Sequence, residues 1–248
     1  MDSNDVHRRW TARSGAYSPE YYAYYGPNET SELLAATIDR YVGDGDDADA
    51  DADADDDSAS GPTILELGCS SGRHLAHLLE QGYENVSGVE INGEAFEVMD
   101  ETYPELAETG TFYHDSIESV VRGLDDDAFD VVYSVETLQH LHPDARWVFD
   151  ELARVTGTLL VTVENEEMSD EGEAGRRSDA DSETDDAGRT GDEEQTDDEE
   201  RTDGPNVNYV EDDFPLYYRD WHDIFTGVGL TEVESKSLER DTFRAFTP

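Results

Sequence analysis

Residues 66–72 read Glu-Leu-Gly-Cys-Ser-Ser-Gly, between the apolar run Thr-Ile-Leu and the segment Arg-His-Leu-Ala-His-Leu-Leu-Glu. Gly68 and Gly72 let the backbone turn sharply and approach a ligand closely, and the first amides of a following helix face whatever the turn holds. Acids stand at the ends of the next two apolar runs: Glu90 closes Val-Ser-Gly-Val-Glu, and Asp115 follows Thr-Phe-Tyr-His. Glu136, Gln139, His140 and His142 then cluster behind Phe-Asp-Val-Val-Tyr-Ser-Val. An imidazole titrates near neutrality, so His140 can act as general base toward an acceptor that must lose a proton. His142 precedes Pro143 and marks a helix start.

Three ligands compete for the glycine turn. A phosphate loop ends in Gly-Lys-Ser/Thr, whereas Gly72 is followed by Arg73 and His74. A dinucleotide turn spaced G-x-G-x-x-G would need glycine at 68, 70 and 73, where this chain has Gly68, Ser70 and Arg73. The form acid-x-G-x-G-x-G fits better, with Ser70 at the middle glycine.

The scaffold for these residues follows from periodicity. Strands are predicted over 63–68, 85–91, 111–115, 129–135 and 158–165. Helices are predicted over 73–82, 94–103, 116–124, 143–157 and 218–230, with two late strands over 230–238 and 241–248. An earlier helix starts at Asn28 or Thr30 and runs to about Val42. Alternating strands and helices imply a Rossmann-like three-layer α/β/α sandwich. Its sheet has seven mostly parallel strands and an antiparallel edge hairpin. Ligands of such sheets bind beyond the carboxyl ends of the strands, where the winding order reverses.

The order of motifs resembles the class I S-adenosylmethionine-dependent methyltransferases. Glu-Leu-Gly-Cys-Ser-Ser-Gly resembles their first motif, and Ser-Gly-Val-Glu-Ile-Asn their acid-ended second strand. Tyr-His-Asp-Ser-Ile, Phe-Asp-Val-Val-Tyr-Ser-Val-Glu-Thr-Leu-Gln-His-Leu-His-Pro and Asp-Glu-Leu-Ala-Arg-Val-Thr-Gly-Thr-Leu-Leu-Val-Thr-Val-Glu-Asn-Glu resemble the later ones. The resemblance covers residues 63–166 well and 218–248 loosely. It implies S-adenosyl-L-methionine as cofactor, with Glu66 toward its ammonium, Glu90 toward the ribose hydroxyls and Asp115 toward the adenine amino group. Ser116 and Ile117 would flank the ring. Gly68, Cys69, Ser70, Gly72, Ile91 and Ser134 complete the expected donor site, and Tyr21, Tyr25 and Glu136 are expected to touch the acceptor. Two other classes stay open: a noncatalytic module that binds S-adenosylmethionine, and a nicotinamide-dependent oxidoreductase.

Absences narrow the acceptor. There is no Asn/Asp-Pro-Pro-aromatic segment of the kind found in enzymes that methylate base amino groups. Cys69 is the one cysteine, which excludes an intrachain disulfide, a cysteine-built cluster and a separate cysteine nucleophile. Arg8, Arg9 and Arg13 are a poor footprint for nucleic acid against a formal charge of −47. A small molecule, lipid or glycan precursor is the expected acceptor. The segment Met-Asp-Ser-Asn-Asp-Val-His-Arg-Arg-Trp has no apolar core and no apolar run reaches about 18 residues, so a cytoplasmic chain without a membrane span is expected.

The expected organisation is an aromatic-rich helical cap over 1–42, a disordered acidic loop over 43–62 and the methyltransferase core over 63–166. A disordered acidic insert over 167–205 and a C-terminal helix with two strands over 206–248 follow. The two acidic tracts carry only about half of the negative charge, and Lys236 is the sole lysine. A carboxylate-rich, lysine-poor surface resembles that of proteins from extreme halophiles, where molar salt shortens the Debye length to roughly 3 Å. The melting midpoint, followed by circular dichroism, is therefore expected to rise between dilute buffer and molar KCl; an unchanged midpoint refutes the halophile reading.

Overall fold

A computed structural model describes residues 2–14, 17–43, 61–166, 206–210 and 214–248. Nearly all of both acidic tracts lies outside the described residues, and with them the expected disordered loops. The main sheet contains β1 (Ile64–Leu67), β2 (Val86–Glu90), β3 (Thr111–His114), β4 (Phe129–Val135), β5 (Thr156–Glu164), β8 (Thr231–Ser237) and β9 (Thr242–Thr247). Its order is β3-β2-β1-β4-β5-β9-β8, parallel through the first five strands and antiparallel over the last two. The chain winds outward from β1 to β3, returns to β4 and proceeds the other way. The winding order therefore reverses between β1 and β4, and the crevice opens at their carboxyl ends.

Period-two alternation sends successive strand residues to opposite faces. Ile64 joins one core, with Leu34, Ile38, Leu75, Met99, Tyr133 and Phe243. Leu65 and Leu67 join the other, with Val132, Phe149, Leu152, Trp221, Phe225 and Phe246. The first core lies under α3 (Glu29–Val42), α4 (Arg73–Glu80), α5 (Glu94–Thr102) and α6 (Pro104–Thr109). The second lies under α7 (Ile117–Val121), α8 (Val148–Val155) and α9 (Trp221–Gly227). Asn28 caps α3, its carboxamide oxygen accepting from the amides of Thr30 and Ser31. None of the helices among the described residues is long and apolar enough to cross a membrane.

The N-terminal segment folds as two helices, α1 (Ser3–Thr11) and α2 (Pro19–Tyr25), capped by Asp2 and Ser18. Three other features depart from the expectation. A 3-10 turn over Pro143–Ala145 precedes α8, which passes directly into β5 at Thr156, so Gly157 sits inside a strand rather than closing a helix. Pro104 ends α5 and then opens α6, because proline suits the first turn of a helix. A separate two-stranded sheet, β6 (Asn206–Val210) with β7 (Phe214–Tyr218), stands outside the main sheet.

Gly72 caps α4 with φ of +82°, and a Cβ there would lie 2.6 Å from Leu106 Cδ2 and 2.9 Å from Met99 Cε. The residue is small because α4 presses onto α5 and α6. A Gly72→Ala chain is expected to lose about 1–3 kcal/mol in urea denaturation, from the strained φ and the crowding together.

Candidate functional site

A cavity opens where the winding reverses, and the turn after β1 forms its floor. Glu66, Gly68, Cys69 and Ser70 line it, with Glu90, Ile91 and Asn92 from the end of β2 and Asp115, Ser116 and Ile117 from the end of β3. Glu136, Thr137 and His140 line it from the segment after β4. Ten sequence-predicted residues of the donor and catalytic sets therefore meet on one cavity: Glu66, Gly68, Cys69, Ser70, Glu90, Ile91, Asp115, Ser116, Ile117 and His140. Glu136 joins them from the acceptor set.

The turn is tied to β2 rather than free. Ser70 has φ of +48°, and its amide donates to Glu90 Oε2 at 2.9 Å, while the amide of Asn92 donates to Oε1 at 2.7 Å. The left-handed backbone at Ser70 is the conformation a glycine would adopt freely, so serine meets the motif's geometry at a cost in strain. Gly68 has φ of +71°, and a Cβ would fall 2.4 Å from Thr137 Oγ1, so the first turn packs against the loop after β4. Burial pushes the Glu90 carboxyl up, against its amide hydrogen bonds.

Glu66 is nearly inaccessible, and Tyr133 donates to its Oε2 at 3.0 Å. Burial pushes its carboxyl up to about 8, with Tyr133 and Arg73 pulling in the other direction and Glu90 adding to the rise. Asp115 is exposed and accepts from the Ser116 amide at 2.7 Å.

The loop after β4 is held by two side chains that sequence reasoning missed, the buried Glu164 and the half-buried Arg219. Glu164 accepts from Ser134 Oγ and from the amides of Thr137 at 3.2 Å, Leu138 at 3.0 Å and Gln139 at 3.2 Å. Burial pushes its carboxyl up to about 7 despite these bonds. At the other end of the 3-10 turn Leu138–His140, Arg219 donates to the carbonyls of Leu138 at 3.1 Å and of Leu141. Glu136 takes φ of +50°, with its amide donating to the Val163 carbonyl at 2.8 Å. Gln139 turns away from the cavity and accepts from the Asn165 amide at 2.8 Å. His142 lines the cavity and caps the 3-10 turn at Pro143, accepting from the Asp144 amide.

His140 Nδ1 lies 2.8 Å from the Pro215 carbonyl, which can only accept; Nδ1 therefore carries the proton and Nε2 the lone pair. Burial lowers this imidazole to about 4, and Arg219 and Arg13 act in the same direction. The ring is neutral at physiological pH.

Four of the expected residues are not among those lining the cavity. Gly72 lies against Leu106 and Met99, and Ser134 is buried with its hydroxyl on Glu164, so neither lines the cavity. Tyr21 and Tyr25, four residues apart on α2, point outward at 37% and 61% exposure and pack on each other. Tyr17 and Tyr22 line the cavity instead, Tyr22 with its ring under the Arg73 guanidinium. Helical geometry turns Tyr22 inward; the density of tyrosines in this segment concealed which of them face in. The roof also includes His7, 2.8 Å from Glu118, and Trp10, whose ring lies 4.7 Å from His140 and 4.6 Å from Phe214.

Comparison with known proteins bears on the domain and the fold. Residues 64–158 match a family model described as a methyltransferase domain. An O-methyltransferase of Pyrenophora dematioidea is 28% identical over 95 residues, which are 38% of this chain and 35% of that protein. The chain thus spans about a third of the length of that curated relative. The fold is shared with magnesium protoporphyrin IX methyltransferase from Synechocystis PCC 6803 with bound SAH, at a TM-score of 0.57 and 13% identity over 98% of this chain and 93% of that one. It is shared too with an S-adenosylmethionine-dependent methyltransferase from Mesorhizobium loti, at 0.51 and 10% identity over 75% and 91%. Residues 64–158 thus resemble a methyltransferase domain, and the fold is one that solved methyltransferases share.

The Glu66 carboxyl sets a pH dependence of stability. The folded chain retains its proton up to about pH 8, while the unfolded chain releases it above the ordinary value of 4.5. Its contribution is full below 4.5 and is lost as pH rises through 8. Glu66→Gln is therefore expected to overtake the native chain in urea denaturation above pH 8, by on the order of a few kcal/mol, and to lose that advantage near pH 4.5.

Proposed function

We propose that this chain, with a methyltransferase domain across residues 64–158, transfers a methyl group from S-adenosylmethionine to a small-molecule acceptor. One observation carries the reading: Glu66, the Gly68–Ser70 turn, Glu90 and Asp115 converge on one cavity at the reversal of the sheet. The residues present suit the donor. Glu66 would take its ammonium, Glu90 its ribose hydroxyls and Asp115 its adenine amino group, with Ser116 and Ile117 beside the ring. The turn already brings the backbone to the cavity floor.

S-adenosylmethionine supplies a methyl group activated on a sulfonium. The chain's own work is to orient the acceptor, exclude water and remove a proton where the acceptor has one. Aromatic faces tolerate a sulfonium, and Trp10, Tyr17 and Tyr22 roof the cavity from α1, α2 and the segment between them. His140, held with Nε2 unprotonated, is the candidate base. The roof closes over the donor side as well, since His7 of α1 bonds Glu118 of α7.

Calorimetry with S-adenosylhomocysteine in molar KCl tests the reading. Below pH 8 the ligand's ammonium should force Glu66 to ionise. The heat is then expected to differ between phosphate and Tris at pH 7, reporting up to one proton released, and the difference should vanish in Glu66→Gln. NADH should give no heat. Absence of heat with S-adenosylhomocysteine, or tighter binding of NADH, overturns the assignment.

A further inference from the structure

Resting on the proposed methyl transfer, we propose that Trp10 and His140 together read a hydroxyl on an aromatic or enolic acceptor, and that this chain methylates oxygen.

The donor residues account for one side of the cavity; Val6, Trp10, His140, Leu141 and His142 line another part of its wall. Two polar groups of that wall await partners of opposite kind. Trp10 Nε1 is buried and has no hydrogen-bond partner among the described residues. An indole N–H can only donate. Such an orphaned buried donor is costly to keep, and Trp10 lines the cavity, so a small shift of its ring on ligand binding would bring the N–H to an acceptor there. His140 Nε2 is the complement, since the Nδ1 proton is committed to the Pro215 carbonyl. The two rings are neighbours, with centroids 4.7 Å apart.

The ligand group between them must therefore accept from Trp10 and donate to His140. A hydroxyl does both and keeps a second lone pair for attack. A carboxylate accepts but has no proton to give. A neutral amine donates, but its single lone pair is needed for the new bond. A thiol is a weak partner on both counts. The ring walls of Trp10, Tyr17 and Tyr22 suit a planar acceptor. A base kept neutral by burial among Arg13 and Arg219 needs an acceptor whose hydroxyl is already acidic, which points to a phenol or enol rather than an alcohol.

The step balances. The O–H bond breaks and its proton passes to His140 Nε2. The oxygen lone pair forms the bond to the methyl carbon as the carbon–sulfur bond of S-adenosylmethionine breaks, and that electron pair stays on sulfur. The imidazolium returns its proton to solvent.

Four probes of one shape test this: 2-naphthol, 2-naphthylamine, 2-naphthalenethiol and 2-naphthoate. Each is added with S-adenosylmethionine, and S-adenosylhomocysteine formation is measured. Naphthol is expected to be methylated on oxygen. Trp10→Phe, which keeps the ring and removes the N–H, should lower its kcat/KM at least about tenfold. Nitrogen-15 spectra of the indole groups give a readout that does not depend on turnover or on that variant. In the native chain with S-adenosylhomocysteine, one of the three tryptophan signals should move downfield with naphthol and not with naphthylamine. Preferred turnover of the amine, thiol or carboxylate, no turnover of naphthol by a chain that binds S-adenosylhomocysteine, or an unmoved indole signal overturns the hydroxyl assignment alone. Failure to bind S-adenosylhomocysteine overturns the methyl-transfer reading itself.

Discussion

The arrangement of the cavity depends on one buried carboxylate. Glu164, at the end of β5, receives three consecutive amides and a serine hydroxyl from the segment that follows β4. Those amides have no partners of their own at the start of a short 3-10 turn, and a carboxylate satisfies them as a cap would satisfy a helix. Arg219 does the reverse at the far end, giving its guanidinium to carbonyls. The two charges grip the turn along its dipole. Glu136, Thr137 and His140 stand on that turn or beside it, so this wall of the cavity and the packing of Gly68 both follow from this grip.

The donor side obeys the same logic with weaker restraint. Glu90 is spoken for by two backbone amides, yet burial still keeps its carboxyl above the usual range. Among the described residues Glu66 has a single phenol, Tyr133, as hydrogen-bond donor. Three buried acids, Glu66, Glu90 and Glu164, therefore differ in how completely the protein satisfies them. The best satisfied one holds the loop after β4, and the least satisfied one lines the cavity with Tyr133 as its single donor among the described residues. This grading separates scaffold from site in a chain where acids are too common for their presence to mean anything.

Much of this was legible in the residues. The β1 turn, the acid-ended β2 and the Asp115 position are local patterns: apolar run, small residues, acid. They depend on backbone geometry that neighbouring residues dictate. Helix packing at Gly72 was not legible, because two different demands, ligand approach and helix packing, both select glycine. The bond of Ser134 to Glu164 was not legible either, because its partner is thirty residues away in the chain. The β6–β7 hairpin escaped because Pro215 sits inside β7 and every residue from Phe214 to Tyr218 is buried, which removes the alternation that marks a strand. That hairpin supplies the Pro215 carbonyl and the Phe214 ring, so the tautomer of His140 and the seat of Trp10 could not be read without it.

Helix α1 is nine residues long and lines the cavity at two places. His7 is anchored to Glu118, on α7, and the Trp10 ring lies 4.7 Å from that of His140. One short helix therefore supplies wall to opposite ends of the same cavity, so a substitution that shifts it alters both ends together.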